Sequence, residues 1–320
     1  MKKRIGLLLV LTIFMGVMAG CGKSSDSKSE NTTSKEESSS KEGNTAYPRT
    51  YKDATGNEVV IKEEPKKIAV GYLPYWEFLL ALGQPPVAAV AAENYTKTWD
   101  PFKNYDTKSV IDLGEKDINL EKLAEVQPDL ILVPASDTGI ENLKKIAPVI
   151  VLDEKVRMDW RYGIKEIGKI INKTQVAEEK VNEIEKKISD ARVKLQEKYK
   201  NETVAVISLM KKNGYYCAKR PDFFDPNTGL GLNAPEGYPS ENKYEQISME
   251  ALSKMNPDHI FLAVFDGSEG LADDLKNDPV WKSLKAVKEN KVHTLDGAAH
   301  ATSILATEYA VNAIVDDLLN

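Results

Sequence analysis

The strongest constraint on this chain is that it repeats itself. Glu121, Leu123, Pro128, Asp129 and Ile131 recur as Glu250, Leu252, Pro257, Asp258 and Ile260, and one offset of 129 residues relates every pair. Each copy reads as a short helix, a Pro-Asp turn and a buried strand, at 130–133 in the first and 260–264 in the second. Two copies of one α/β unit imply two similar lobes, and something must join them. Between the copies, Ala177, Val181, Ile184, Ile188, Ala191 and Leu195 recur at alternating spacings of four and three, the apolar stripe of one unbroken helix over 174–200. Roughly 25 residues at ~1.5 Å each approach 40 Å, long for a helix confined to one lobe. A coiled-coil seam fits the same spacing. The matching units on either side favour a bridge, with Glu183 four residues before Lys187 on its solvated face.

The N-terminus has a different character. Lys2, Lys3 and Arg4 precede an apolar run to Val17, and Met18, Ala19 and Gly20 lead to Cys21, which reads as an export signal at 1–20 rather than a structural helix. A cysteine directly after Ala-Gly resembles the bacterial lipobox, in which the chain is cut before Cys21 and that residue is lipidated; an ordinary secretory signal is the alternative. Residues 21–46 are then a lipidated cysteine and a disordered tether of Ser, Lys, Glu, Asn and Thr, which cannot anchor a core. The expected location is the extracytoplasmic face of the cell membrane, held by the lipid. With Cys21 lipidated, Cys217 stands alone and no intramolecular disulfide is possible. About 275 residues remain, divided into a first lobe at 47–173, the connecting helix at 174–200 and a second lobe at 201–320. A net charge of −6 argues against nucleic acid as a partner.

Within the lobes, 47–53 and 59–61 read as a hairpin turning at Gly56, 68–70 as the first core strand, 76–82 as a helix stopped by Gly83, and 87–91 and 149–152 as further strands. Residues 93–109 read as a long aromatic binding loop, and 220–239 as another loop rich in Pro, Gly and aromatics. Strands at 203–210 and 215–218 flank an Asn-Gly hairpin signal. A helix at 279–286, a strand at 291–295 and a closing helix to Leu319 complete the chain.

No catalytic motif stands out: there is no Walker loop, nucleophile elbow, dinucleotide turn or His-Glu-x-x-His helix. The three histidines, His259, His293 and His300, are too scattered for an imidazole metal site, so no metal site and no intrinsic cofactor are expected. His259 and His293 fall in strands, whereas His300 falls in a loop after a strand. Ligands of open α/β sheets bind beyond the carboxyl ends of strands. On that basis Tyr72, Tyr95 and Trp99 of the first lobe face Lys211, Arg220 and Tyr238 of the second, with Arg157 and His300 as further candidates. Arg220 ranks first, as a cation entering the cleft beside a Pro-Asp-Phe-Phe loop; a surface pair with Asp222 or Asp225 is the plain alternative.

A resemblance covers nearly the whole mature chain. Residues 65–68, 80–83 with Pro86 and Val87, 119–123 with 127–131, 146–149, 247–252 with 256–258, and Asp278, Pro279 and Trp281 with 285–287 are similar in order and spacing to the substrate-binding lipoproteins of ABC importers for iron-siderophores or cobalamin. The resemblance implies an α/β fold of two lobes, each a small, mostly parallel sheet flanked by helices, with one long connecting helix and a ligand cleft between. It further implies a monomeric carrier, not an enzyme, that captures a ferric siderophore or ferric citrate as its transported ligand and delivers it to an ABC permease dimer. In that docking the resemblance assigns one carboxylate per lobe, Glu121 and Glu250. A cobalamin- or haem-binding lipoprotein of the same class is the alternative, and an envelope enzyme or adhesin on the same scaffold is the alternative from another class. Arg and Lys favour an anionic chelate, because its exposed oxygens suit bidentate cations, whereas a neutral corrin needs fewer.

Overall fold

The computed structural model describes residues 47–210 and 214–320, so the export signal, Cys21, the tether and Lys211 lie outside the described residues. Strands β1 (Arg49–Lys52) and β2 (Glu58–Ile61) pair antiparallel. Their turn is fixed by Asp53, whose Oδ1 accepts from the N–H groups of Thr55 and Asn57, and by Gly56 at a φ of 86° that favours glycine.

The first sheet is built from β3 (Ile68–Val70), α1 (Leu73–Ala81), β4 (Ala88–Ala89), α2 (Ala92–Thr98), a 3₁₀ turn at Asp100–Asn104, β5 (Ile111–Asp112), α3 (Leu120–Val126), β6 (Leu130–Pro134), α4 (Ile140–Leu143) and β7 (Val149–Leu152). Its strands are parallel in the order β5-β4-β3-β6-β7. Helices α5 (Glu154–Met158) and α6 (Trp160–Ile170) lead into α7 (Thr174–Lys198). The second lobe follows with β8 (Val204–Met210), β9 (Gly214–Cys217), α8 (Pro221–Phe224), β10 (Glu245–Ile247), α9 (Met249–Met255), β11 (His259–Val264), α10 (Glu269–Leu275), α11 (Pro279–Ser283), α12 (Lys285–Lys288) and β12 (Val292–Asp296). A 3₁₀ turn at Gly297–His300 and α13 (Ile304–Leu319) close the chain.

The second sheet runs β10-β9-β8-β11-β12, the same winding as the first: a central strand, two strands to one side, then two to the other. The repeat read in the sequence is therefore a repeat of topology. It extends to single hydrogen bonds. Asn119 caps α3 through the N–H groups of Glu121 and Lys122, and Ser248 caps α9 through that of Ala251. Gln127 and Asn256 both end their helices in the left-handed region, at φ 52° and 38°. Asp129 accepts from Lys66 and Lys67 just before β3, and Asp258 accepts from Thr203 just before β8, so each lobe's Pro-Asp turn pins the start of its central strand. One unit differs: α1 crosses over between β3 and β4, whereas β8 and β9 pair antiparallel as a hairpin.

Two expectations need correction. Residues 93–109 are mostly helical, as α2 and a 3₁₀ turn, because their aromatics turn inward: Phe102 is buried against Trp76 at 4.5 Å between ring centroids. The helix expected over 279–286 is two, broken where Leu284 takes an extended ψ of 145°.

Ile68, Val70, Leu130, Leu132, Ile150 and Leu152 point to one face of the first sheet and join an apolar core continuous through both lobes. Their neighbours Ala69, Ile131, Val133, Val149 and Val151 face a smaller core under α3 and α4, as the two-residue period of strands requires. The six stripe residues of α7 are all buried in the larger core, and Lys180 and Lys187 of α7 clasp Glu308 of α13 at 3.1 and 2.8 Å. Ile188→Ala should cost about 2–5 kcal/mol because the cavity lies between rigid elements. Val193→Ala, at a position 68% exposed on the same helix, should stay within about 0.5 kcal/mol. Urea denaturation midpoints at constant slope check both.

Candidate functional site

Segments flanking the strand ends of both lobes, most of them beyond carboxyl ends, converge on a hollow of about 370 Å³. The first lobe supplies Tyr72, which follows β3 and stands at the N-cap of α1; Tyr95 of α2, after β4; and Arg157 and Met158 of α5, after β7. The second supplies Asn242 and Tyr244 before β10 and residues 300–303 after β12. Tyr72 is also a wall of a neighbouring hollow of about 510 Å³, where Gly71, Pro134 and Asp137 mark the ends of β3 and β6. Those strands flank the point at which the winding reverses, the usual ligand site of open α/β sheets. A hollow of about 720 Å³ beside Trp281 runs along the flank of β12, and one of about 510 Å³ lies at the end of α7; neither is built from both lobes' strand ends as the first is.

The wall residues hold one another in place. His300 stacks on Tyr244 with 3.6 Å between centroids, its Nδ1 lies 2.8 Å from Ser208 Oγ, and the Tyr244 hydroxyl donates to the His300 carbonyl at 2.6 Å. Burial, helped by the Arg220 guanidinium, pushes the His300 imidazole down to about 4, so this histidine is neutral in ordinary buffers. Arg157 is held by Glu154, with Nε at 2.8 Å from a carboxylate oxygen. Among the described residues lining the hollow, it is the only one with a fixed positive charge.

Tyr72, Tyr95, Arg157 and His300 thus line one hollow, whereas the other sequence candidates lie elsewhere. Trp99 stands behind Tyr95, edge to face at 5.5 Å, with its indole N–H donated to Glu77. Tyr238 is buried inside the second lobe, where its hydroxyl donates to the Val206 carbonyl at 2.8 Å, so it is core with a polar tip. Arg220 is 1% exposed and lies under the hollow rather than in it. Its guanidinium donates to the Ala299 carbonyl, Asp222 and Thr307 Oγ1, and lies over the Phe223 ring. Arg220 thus pairs with Asp222, the plain alternative to a place in the cleft, except that the pair is buried rather than on the surface. Burial would raise the Asp222 carboxyl, yet Arg220 and Arg161 hold it below the usual carboxylate range.

The sequence reading missed Tyr244 and Glu77. Tyr244 had no motif to mark it, lying between a loop and a short edge strand. Glu77 carried a signal that went unused, a lone acid in the apolar run Tyr75, Trp76, Phe78, Leu79 and Leu80. It is fully buried, and its carboxylate accepts from the Trp99 indole and from the backbone N–H groups of Leu305 and Ala306. Glu121 and Glu250 sit in the first turns of α3 and α9, both exposed; Glu250 makes a solvated pair with Lys254 of the kind that adds little stability.

Two wound α/β lobes bridged by one long helix, with a site between their strand ends, define a helix-bridged two-lobed binding protein. A family profile described as "Periplasmic binding protein" matches residues 68–299, and the chain belongs to that family. It is 30% identical to the probable siderophore-binding lipoprotein YfiY of Bacillus subtilis (strain 168), over 99% of this chain and 98% of that one. It is 28% identical to the Fe(3+)-citrate-binding protein YfmC of the same organism, over 92% and 90% of the two chains. It superposes on the iron-uptake system-binding protein FeuA from Bacillus subtilis with a TM-score of 0.69 at 25% identity, covering 84% of this chain and 100% of that one. These relatives are named as binding proteins, the first as a lipoprotein, and no described helix is long and apolar enough to cross a membrane.

Removing the buried cation beneath the hollow should be felt first in folding. Arg220→Ala leaves Asp222 buried with only Arg161 to balance it, and should cost on the order of 3 kcal/mol in chemical denaturation. Arg220→Lys, which keeps the charge but not the planar fork, should fall between.

Proposed function

We propose that the chain is an extracytoplasmic lipoprotein, anchored through Cys21, that captures a ferric siderophore or ferric citrate-type chelate between its lobes and delivers it to an ABC importer permease. The observation that carries this reading is the hollow itself: three tyrosines, a neutral imidazole and one arginine converge from both lobes at their strand ends. Aromatic rings suit the flat faces and apolar arms of an organic chelate, and a guanidinium grips its outward carboxylate or hydroxamate oxygens. Iron arrives already ligated, so the protein needs shape, rings and charge rather than metal ligands. The relatives named for siderophore and ferric citrate binding support the same ligand class. Tyr72, Tyr95, Arg157 and His300 are the proposed contacts, joined by Tyr244. Trp99 and Arg220 support them from behind.

A titration panel of ferric citrate, a ferric trihydroxamate, a ferric triscatecholate, cobalamin and haem, followed by tryptophan fluorescence, tests the ligand class. Saturable binding of a ferric chelate is expected, and binding confined to cobalamin or haem overturns it. With the chelate that binds, Arg157→Ala should lose about 1–3 kcal/mol, roughly five- to hundredfold in affinity, and less at high salt.

Glu121 and Glu250 are the proposed docking pair. They occupy equivalent first turns in the two lobes, so one pseudo-symmetric face offers a carboxylate to each half of a permease dimer. Replacing both by Ala should abolish chelate uptake into cells while leaving chelate affinity in solution at the parental value. Parental uptake by the double variant would remove the docking role.

A further inference from the structure

We propose that Glu77 is the positioning residue of the chelate site: its carboxylate holds the two opposing walls of the cleft in register, and chelate affinity therefore follows its protonation. The inference rests on the cleft being the chelate site. One oxygen accepts the Trp99 indole N–H at 2.8 Å, and Trp99 is the ring against which Tyr95 of the first wall rests. The other accepts the N–H groups of Leu305 and Ala306 at 2.8 and 3.1 Å, which fixes the start of α13 directly after the wall segment 300–303. Ser303 occupies the N-cap position of α13 but makes no capping bond there, so the cap comes from the opposite lobe. A carboxylate bonded to both walls sets their spacing, and three donors on two oxygens require it ionised for full strength.

The surroundings favour titration near neutrality. Burial pushes the Glu77 carboxyl up to about 7, and the neighbouring Ser303 hydroxyl and the bonds from Trp99 and the α13 backbone only partly offset this. From the first lobe, Tyr95 and Tyr105 are the titratable groups that feel its charge. From α13, Glu308 is already engaged by Lys180 and Lys187, and His300 beyond the wall is neutral at this pH. Among the described residues no cation is a partner of Glu77, so its protonation is set by burial and by the bonds it makes. Acidification through that range weakens all three bonds together, which loosens Trp99 on one side and the 300–303 segment on the other.

The experiment measures affinity for ferric citrate and for a ferric trihydroxamate by calorimetry between about pH 5.5 and 8.5, in the parental protein and in Glu77→Gln. The chelate's own titration cancels in the ratio of the two proteins. Parental affinity should fall about five- to tenfold on acidification, relative to a variant that is weaker at the alkaline end and flat across the range, because an amide offers only one accepting atom to donors on both sides. A folded Glu77→Gln protein with parental affinity and a parental pH profile overturns the proposal, since a purely structural residue would change stability alone. Should that variant fail to fold, Trp99→Phe decides: with one donor lost, the midpoint should move to higher pH and affinity should drop, and an unmoved midpoint overturns the proposal. Should no ferric chelate of the panel, the triscatecholate included, bind the parental protein, the chelate reading fails separately, and nitrogen-proton NMR tests the positioning. The Trp99 indole and the Leu305 and Ala306 amides should then shift with one common midpoint near neutrality, and independent behaviour of the three overturns the coupling.

Discussion

The structure depends on a helix that begins in one lobe and is capped by the other. A helix start leaves N–H groups without intrahelical acceptors, and α13 supplies its own N-cap residue, Ser303, without using it. Glu77 reaches across from α1 instead. The arrangement is costly, because a carboxylate fully removed from water must replace its hydration with three donors. The sign of the linkage follows. Folding raises this carboxyl from its ordinary 4.5 to about 7, so the folded chain holds a proton there that the unfolded chain has released. The stabilisation is fully present below about 4.5 and is lost as pH rises through 7. Above that range the ionised carboxylate works against stability, while its three bonds still join Trp99 to the start of α13.

A second carboxylate works in the opposite direction. Asp222, on α8 of the second lobe, accepts from the Trp160 indole and the Arg161 guanidinium of α6 in the first, as well as from Arg220 beside it. Arg161 continues to Glu185 on the bridging helix at 2.7 Å. Glu77 and Asp222 therefore tie the lobes reciprocally, each reaching a helix that lies beyond the other lobe's last strand, α13 after β12 and α6 after β7 and α5. Between them runs the apolar stripe of α7, which supplies burial without specifying an angle. Hydrophobic contact joins the lobes, and the two buried carboxylates, being directional, fix how they meet.

What was legible in the sequence divides along the same line. The bridge was legible because burial on one face of a helix imposes a period, and the six stripe residues are the six that α7 buries. The lobes were legible because Pro128-Asp129 and Pro257-Asp258 do the same physical job twice, each holding a central strand at its start. Contacts outside the repeat were not legible. Glu77 lies on α1, the crossover that the second lobe replaces with a hairpin, so no second copy pointed to it. The rule of strand ends also places Tyr238 and Arg220 in the cleft, but a phenol and a guanidinium are the groups best able to carry a polar tip into a core, and both find partners there.

The residues that do line the hollow stand directly beyond strand ends of the two sheets. Tyr72, Tyr95, Arg157 and His300 follow β3, β4, β7 and β12, the strand ends that an open wound sheet presents to a ligand. Their surroundings set the charge of the hollow. His300 is neutral because burial and the adjacent Arg220 both oppose a proton on it, and Arg220 itself is 1% exposed beneath the lining of the hollow. In surroundings of low dielectric, a guanidinium behind a stacked Tyr244–His300 pair still polarises that pair toward the ligand. Arg220 is itself balanced by Asp222, so the fixed charge that the hollow presents is that of Arg157, set among rings that offer flat faces and no metal ligands.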